Sequence, residues 1–462
     1  MARMPERRVI VVGGGLAGSE AAWQLAERGI AVDLYEMRPG KPTGAHQTSD
    51  LAELVCSNSL GSALPDRASG VLMAELERLG SMVLGAARET AVPAGGALAV
   101  DRNAFARKVT ARIEAHSGIR LVREEVVTIP EVPAVIASGP LTSAGLSEAL
   151  AEFSGEGHLY FFDALSPIVE ADSVDMQVAF RASRYGRGQA EDGDYINCPL
   201  DETTYKAFVA ELLAAERIAL RAFEAEIEQG VRAGMHEFFE GCLPIEVLAG
   251  RGPESLAYGP MRPVGLTDPR TGRRPYAVLQ LRQDNLAGDL YNMVGFQTNL
   301  RFPEQRRVFR MIPGLAQARF ARYGQMHRNT FLNAPNLIEP NLASRARPDL
   351  FFAGQITGVE GYLGNIATGW LAGFNLSRVI AGRTPVALPR DTMLGSLCHY
   401  IARAEPAQFQ PMKANFGLMP DLGPARPRAR RLRAQAYAQR SAESLNSFLQ
   451  RETASLLRIA TT

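Results

Sequence analysis

This chain of 462 residues contains few cysteines and tryptophans and has almost no net charge. It has four Cys, two Trp, and 50 basic against 49 acidic side chains. The cysteines are too few for a disulfide scaffold, and no two of them form a CxxC pair. The sequence therefore predicts neither a metal site nor a redox dithiol. No run approaches the roughly 18 apolar residues that a membrane-spanning helix needs. A reduced, cytoplasmic protein is expected.

The charge balance of +1 excludes a protein-wide basic field that would attract nucleic acid. Any RNA-binding surface must therefore be a local patch. Arginines concentrate near the C-terminus, where they either contact phosphates or form a solvated or partner-facing face, and the sequence leaves both open. These tail residues are Arg426, Arg428, Arg430, Arg431, Arg433 and Arg440. Two shorter basic strips are Arg301 with Arg306 and Arg307, and Arg322 with His327 and Arg328.

The remaining composition is that of an ordinary globular protein, with 46% hydrophobic and 21% charged residues. The 43 Gly and 28 Pro follow no fixed period, which excludes collagen-like and low-complexity chains. At roughly 150 residues per domain, the length favours about three structural units.

The N-terminal segment carries a dinucleotide-binding pattern. A β-branched run, Arg8–Val12, precedes a GxGxxG motif, a helical stretch and a second strand at Ala31–Tyr35 that ends on Glu36. In such a unit the glycines permit a tight turn and close approach of a pyrophosphate, and the acid accepts ribose hydroxyls. The motif residues that we predict to bind the cofactor are Gly13, Gly14, Gly15, Leu16, Ala17 and Gly18.

The pattern after Glu36 favours FAD over NAD. Arg38, Gly40 and Gly44 follow the acid, as in FAD-binding flavoproteins, so Glu36 and Arg38 are assigned to the cofactor. A late apolar strand, Leu350–Phe352, leads to Gly354 and Gln355, which we also assign to the flavin. Because no second GxGxxG occurs, a nicotinamide reductant is expected to visit the flavin only transiently.

These elements predict an α/β fold, in which a doubly wound, Rossmann-like parallel sheet binds FAD and carries an inserted α+β domain. We place the first part of the FAD domain at residues 1–165 and the insertion at 166–340. Residues 341–462 return to the FAD domain and end in the basic helix. Within the insertion, Asp201 caps a helix that is predicted to run to about Gly230. Strands are predicted at Tyr276–Leu281 and Leu290–Gly295.

Two cysteines are candidates for chemistry. Cys56 follows the second strand and is expected at the carboxyl edge of the sheet, near the flavin. Cys242 lies between a glycine and a proline, in a fixed, irregular segment. A flavin and a thiol together suggest either redox exchange or covalent catalysis by a thiolate, and sequence spacing does not choose between them.

Several longer stretches make the chain resemble the TrmFO family of flavin- and folate-dependent tRNA (uracil-54-C5)-methyltransferases over nearly its whole length. These stretches are GGGLAGSEAAWQLA, ELVCSNSL, FFEGCLPIE, GPMRPVGL, LRQDN, MVGFQTNL, MIPGL, MHRNTF and FFAGQITGVEGY. Many of them lie in the insertion, where FAD binding alone would not require them. The chain departs from the family after Tyr362, where an acidic residue and Ser are often found and Leu363-Gly364-Asn365 stands instead.

The resemblance implies C5-methylation of the T-loop uridine at position 54 of tRNA. Methylenetetrahydrofolate would supply the carbon, and FAD reduced by NADPH or NADH would supply the electrons. The family's two functional cysteines correspond to Cys56 and Cys242. By this resemblance, Cys242 adds to C6 of uracil, and Cys56 handles the methylene adduct or removes the C5 proton. The target uridine must be flipped out of its loop, with His327 and Arg328 as candidate RNA contacts.

Three alternatives remain open. The related large flavoprotein that modifies the tRNA wobble uridine has a longer C-terminal part, and the GCLPIE and MHRNTF stretches argue against it. The same folate chemistry on a ribosomal RNA uridine is a second alternative. A flavin-bearing RNA-binding protein that acts as a folding chaperone is the third. The sequence does not give the oligomeric state.

Overall fold

The computed structural model describes residues 8–155, 159–188, 190, 192–218, 243–424 and 426–460, with the backbone alone at 159–164, 326–328 and 454–460. The strands are β1 Val9–Val12, β2 Val32–Tyr35, β3 Ser59–Ser62, β4 Ala91–Val92, β5 Ala97–Val100, β6 Ile119–Val122, β7 Ala134–Ile136, β8 Leu159–Ala164, β9 Ile168–Glu170, β10 Phe180–Ala182, β11 Tyr195–Leu200, β12 Ala277–Gln283, β13 Leu290–Met293, β14 Phe320–Arg322, β15 Met326–Phe331, β16 Leu350–Phe352, β17 Val359–Glu360 and β18 Met412–Lys413. The helices are α1 Leu16–Ala26, α2 Ala68–Arg78, α3 Met82–Glu89, α4 Arg102–Ala115, α5 Ala144–Ser154, α6 Glu202–Ala214, α7 Ile245–Ala249, α8 Ser255–Tyr258, α9 Phe302–Phe309, α10 Ala334–Leu337, α11 Tyr362–Ile380, α12 Met393–Arg403 and α13 Arg430–Ala460.

A five-stranded parallel sheet forms the first layer, in the order β16-β7-β1-β2-β6. Its central strands are almost wholly apolar because helices cover both faces of a doubly wound sheet. Val11 at the centre is fully buried and pairs with Leu34 on one side and Val135 on the other. The predicted α/β, Rossmann-like fold is confirmed, and the late strand returns to the sheet edge as expected.

A second sheet has six antiparallel strands, in the order β10-β11-β12-β13-β9-β14. It has its own hydrophobic core, which includes Tyr205, Phe208, Phe296 and Phe309 and is separate from the core around the parallel sheet. Strands β12 and β13 lie where the sequence predicts strands. The domain limits of 165 and 340 stay a prediction.

The helix predicted from Asp201 to about Gly230 is shorter in the structure. The Asp201 side chain caps it by accepting the Thr204 N–H at 2.7 Å, but α6 ends at Ala214. The chain then pairs with a neighbouring segment, since the Ile218 N–H donates to the Asn299 carbonyl at 2.8 Å. Tertiary pairing thus ends the helix although its alanine- and glutamate-rich sequence favours continuation. Residues 219–242 lie outside the described part of the chain.

Helix α11 packs against α1 through small residues. A side chain on Gly369 would collide with the backbone of Ala17, and one on Gly373 would press on the Ala21 backbone. The small-residue run after Gly358 therefore lets two helix backbones approach closely beside the glycine motif. Within the described residues, we find no helix with the length and apolar character required to span a membrane.

The buried carboxylate of Glu75 in α2 joins the C-terminal helices to the first core. It accepts the Met393 and Leu394 N–H groups at the start of α12, at 2.6 and 2.9 Å. It also accepts the hydroxyl of Ser441 in α13. Burial raises the pKa of Glu75, and these hydrogen bonds act in the opposite direction.

Replacing Glu75 by alanine should destabilise the protein by roughly 1–3 kcal/mol, because buried N–H donors at the start of α12 lose their acceptor. Urea unfolding, and limited proteolysis of α13, would measure the effect. The control is Glu77→Ala on the same helix, which removes a half-exposed pair with Arg88 and should cost less than about 1 kcal/mol. Equal losses in the two variants would contradict the linking role of Glu75.

Candidate active site

The glycine turn between β1 and α1 has the geometry of a phosphate-binding loop. Gly13 has a φ of +103°, in the region that favours glycine, and a Cβ at this position would collide with the Ala137 carbonyl. A side chain on Gly18 would collide with the carbonyl oxygen of Gly13, so this glycine allows the helix to pack on the turn. At Gly15, by contrast, no described atom lies within 4 Å of where a Cβ would stand. Gly15 therefore faces open space at the start of α1.

Glu36 and Arg38 form a buried pair at the end of β2. The Glu36 carboxylate accepts the Gly14 N–H at 3.0 Å and the Arg38 Nε–H at 2.9 Å. Burial raises the pKa of Glu36, but the hydrogen bonds and charge of Arg38 outweigh it and leave the pKa below its ordinary value. Arg38 also donates to Glu53 at 3.2 Å. The acid is thus ionised and fixed beside the glycine turn.

A groove that is partly open to solvent runs from this pair to the start of α11. Gly18 is not among the residues that line it. All the other residues predicted to bind the cofactor line it, namely Gly13, Gly14, Gly15, Leu16, Ala17, Glu36, Arg38, Gly354 and Gln355. The structure therefore brings together residues from both ends of the chain.

The groove fits a dinucleotide such as FAD. It begins at an acid suited to ribose hydroxyls and passes the N-terminus of α1, whose first turn carries no acidic residue to repel a pyrophosphate. At its other end, Asn365 Oδ1 is buried and accepts no hydrogen bond among the described residues. A ring N–H of the cofactor would satisfy that oxygen.

A second cavity of about 490 Å³ opens beside the groove. The two share Val55, Pro140, Gln355, Tyr362 and Asn365 as walls. The second cavity is also lined by Cys56, Gln297, Asn329 and Glu360, among others. Its volume is typical of a ligand pocket. The half-buried Cys56 thus faces a ligand-sized space next to the predicted flavin groove.

Two side chains hold the loop that carries Cys56. The hydroxyl oxygen of Tyr362 accepts the N–H groups of Cys56 and Ser57 at 3.0 and 3.1 Å. Arg102 donates Nη1–H to the Leu54 carbonyl at 2.8 Å, and its Nε lies 3.1 Å from both carboxylate oxygens of Asp284. Both Arg102 and Asp284 are buried. The loop is therefore fixed from α11 on one side and from the second sheet on the other.

Several arginine side chains surround this loop. Burial lowers the pKa of Arg322 to about 10 and Arg102 acts in the same direction, whereas Asp284, Tyr362 and Cys56 oppose them. Arg282, also buried, donates to Asn58 Oδ1 at 2.9 Å. A thiolate at Cys56 would meet guanidinium groups on the side of the second sheet.

Cys242 lies outside the described residues, but the segment that follows it contacts a residue in the wall of the same cavity. The Ile245 N–H donates to the carbonyl of Gln297, a residue that lines the cavity. Glu246 is turned away from solvent and is paired, since it accepts the Thr298 hydroxyl and the Asn299 N–H, both at 2.8 Å. Burial raises the pKa of Glu246, and the hydrogen bonds from Asn299 and Thr298 act in the opposite direction.

The other two cysteines have surroundings that suit packing. Cys198 and Cys398 are buried in the two hydrophobic cores. Burial raises the pKa of Cys198 to about 12, and it raises that of Cys398 as well. Neither thiol ionises readily at neutral pH, so neither is suited to nucleophilic attack.

The basic strips differ in how far their charges are neutralised. Arg307 pairs with Glu211 and Glu304, and in the tail Arg440 pairs with Asp391. The side chain of Arg431 is 76% exposed and lies 3.9 Å from Asp66. The side chains of His327 and Arg328 lie outside the described part of the structure. Phosphate contact by the tail stays a prediction.

Sequence reasoning missed Arg102 and Asn329, and it noted Tyr362 only as a motif residue. Arg102 follows a helix cap, Asp101, and is separated in sequence from both of its partners. Asn329 occupies a position in MHRNTF two residues before Phe331, a core residue, and strand alternation places the two on one face. A polar residue at a position that strand alternation predicts to be buried is the signal that could have identified Asn329.

Comparisons with known proteins agree with this architecture. The family described as "Glucose inhibited division protein A" matches residues 8–384. The chain is 55% identical over 442 residues to the methylenetetrahydrofolate–tRNA-(uracil-5-)-methyltransferase TrmFO of Desulforudis audaxviator, covering 96% of this chain and 98% of that protein. It is 53% identical to the TrmFO of Enterococcus faecalis, over 94% of this chain and 97% of that protein. The solved structure of Aquifex aeolicus GidA, form II crystal, has a TM-score of 0.68 at 16% identity, covering 97% of this chain and 74% of that one.

Replacing Gly15 by valine should give a folded protein that has lost its yellow colour. The new side chain meets no described atom of the protein, yet it fills the space through which a pyrophosphate reaches the backbone. Flavin absorbance per protein measures the loss, and circular dichroism reports the fold. The matched control, Gly18→Val, should instead fail to fold. A Gly15→Val protein with normal flavin content would contradict the assignment.

Proposed function

We propose, since the chain belongs to the TrmFO family of methylenetetrahydrofolate–tRNA-(uracil-5-)-methyltransferases within the wider GidA family, that it methylates C5 of the T-loop uridine at position 54 of tRNA. Methylenetetrahydrofolate is the carbon donor and NAD(P)H the reductant in this proposal. The reaction takes place in the cytoplasm, and FAD would be held by the glycine turn, Glu36, Arg38, Gly354 and Gln355.

One observation carries the proposal. The cavity that Cys56 lines shares a wall with the groove that fits a dinucleotide. A pyrimidine ring in that cavity would therefore contact both a thiol and the end of the cofactor groove. A reaction that combines thiol addition to a uracil ring with electrons from a flavin requires this arrangement, whereas FAD binding alone does not.

The protein's own residues perform the nucleophilic and proton-transfer steps. The Cys242 thiolate adds to C6 of uracil, which pushes electrons onto C5 and makes that carbon a nucleophile. C5 then takes up the one-carbon unit of methylenetetrahydrofolate, Cys56 removes the C5 proton, and the bond between the transferred carbon and the folate nitrogen breaks, so that tetrahydrofolate leaves. Once the methylene on C5 has been reduced, loss of the Cys242 thiolate from C6 restores the C5–C6 double bond. When bound, reduced FAD supplies the electron pair that turns the transferred methylene into a methyl group.

The neighbours of Cys56 support its role as a base. Tyr362 and Arg102 fix the backbone of the loop, so Cys56 is held at the wall of the cavity. The guanidinium nitrogens of Arg102 and Arg322 are buried on the side of this loop that faces the second sheet. The RNA itself must deliver a flipped base, because a uracil stacked in its loop does not fit inside a cavity of this size.

The purified protein, supplied with labelled methylenetetrahydrofolate and NADPH, should transfer label to unmodified tRNA and lose that activity when folate is omitted. Mapping of the labelled nucleotide by nuclease digestion and mass spectrometry should give position 54. Label found only in ribosomal RNA would favour the sister reaction. RNA binding without labelling of any RNA would favour a chaperone.

Replacing Cys242 by alanine should lower methyl transfer by at least about 10³-fold while the flavin content stays normal, because uracil C5 is not activated without addition at C6. Cys56→Ala should also abolish turnover. Cys398→Ala, which removes a buried thiol in the first core, serves as the matched control and should keep its activity. Full activity in Cys242→Ala would remove its assigned role.

A further inference from the structure

Asn329 is the polar side chain that the fold leaves least explained. It lies on β15, which pairs with β8, and only 1% of it is exposed. Both its Oδ1 and its Nδ2 are buried, and among the described residues neither atom has a hydrogen-bond partner. The same side chain lines the cavity that contains Cys56.

A buried amide without hydrogen-bond partners lowers the stability of the folded protein. Each buried donor or acceptor without a partner costs free energy that an apolar residue of the same shape would not. The backbone next to it has a partner, since the Thr330 N–H donates to the Pro140 carbonyl at 2.9 Å. The amide group of Asn329 therefore needs a partner that comes from the cavity.

The partner must present a donor and an acceptor side by side. A primary amide offers one C=O and one N–H in a plane, and it pairs bidentately with a ring edge that carries the complementary groups. The N3–H and C4=O of uracil form such an edge. Resting on the function proposed above, we infer that Asn329 recognises this edge of the target uracil and fixes the ring beside Cys56.

The composition of the cavity favours the nucleobase as the occupant. Cys56 lines it, and so does Gln297, whose carbonyl accepts the N–H of Ile245 close to where the described chain resumes after Cys242. Asn329 does not line the groove that holds the glycine turn and Glu36. Recognition of the N3–H and C4=O edge leaves free for chemistry both C6, which lies across the ring from N3, and C5, which is bonded to C4.

The first test is a stability measurement on the FAD-loaded protein without RNA. Asn329→Leu replaces the amide by an apolar group of similar shape, so its melting temperature should equal or exceed that of the unaltered protein. A normal flavin content is expected as well. A lower melting temperature would mean that the amide holds the protein together, and a reduced flavin content would assign it to the cofactor. Either result overturns the inference.

The second test measures binding of two T-arm RNA oligonucleotides, with uridine or N3-methyluridine at the target position. The unaltered holoenzyme should bind the uridine form roughly 10- to 100-fold more tightly, and Asn329→Leu should bind both forms equally. Thr330→Val, on the opposite face of the same strand, is the control and should keep the preference.

Equal discrimination in Asn329→Leu and the unaltered protein would overturn the inference, as would a change confined to the affinity for methylenetetrahydrofolate. Methyl transfer by the unaltered protein to the uridine oligonucleotide is measured alongside. If that reaction fails, the proposed function fails. If it succeeds while the discrimination does not depend on Asn329, the recognition role alone is wrong.

Discussion

The buried ion pair between Arg102 and Asp284 is the contact on which the site depends. Arg102 begins α4 on the parallel-sheet side, and Asp284 follows β12 of the antiparallel sheet, so the pair joins the two cores. The same guanidinium donates to the Leu54 carbonyl, two residues before Cys56. Breaking a buried ion pair by removing one partner leaves an uncompensated charge, which is strongly unfavourable. The position of the thiol is therefore tied to the relative position of the two sheets.

Much of the fold was predictable because its determinants are local in sequence. The β1 strand, the glycine turn and the acid at the end of β2 follow one another within about thirty residues, and each has a fixed physical function. Even the late strand β16 could be predicted from the sequence, because a short apolar run leads to Gly354. The length of α6 was not predictable from local propensity, since the chain after Ala214 is drawn into pairing with residues near Asn299.

The site was predictable only in part, for the same reason. The cofactor residues belong to a motif, and Cys56 follows a strand whose edge is known. The contacts that orient Cys56 come instead from residues far away in sequence, and Arg102 and Asp284 are 182 positions apart. Asn329 is distinguished by amide atoms that find no hydrogen-bond partner in the part of the chain that the structure describes, a property that only a three-dimensional arrangement can have. The spacing of residues along the sequence carries no information about such contacts in the folded chain.

The order of strands in the parallel sheet has a consequence for synthesis. The sheet places β16 beside β7, and α11 covers α1, although residues 137–349 separate the two strands along the chain. A nascent chain emerging from the ribosome thus exposes one flank of its nucleotide-binding half until residue 380 has appeared. Folding from the N-terminus cannot finish that half early. Translation must deliver most of the polypeptide before the cofactor groove has both of its walls.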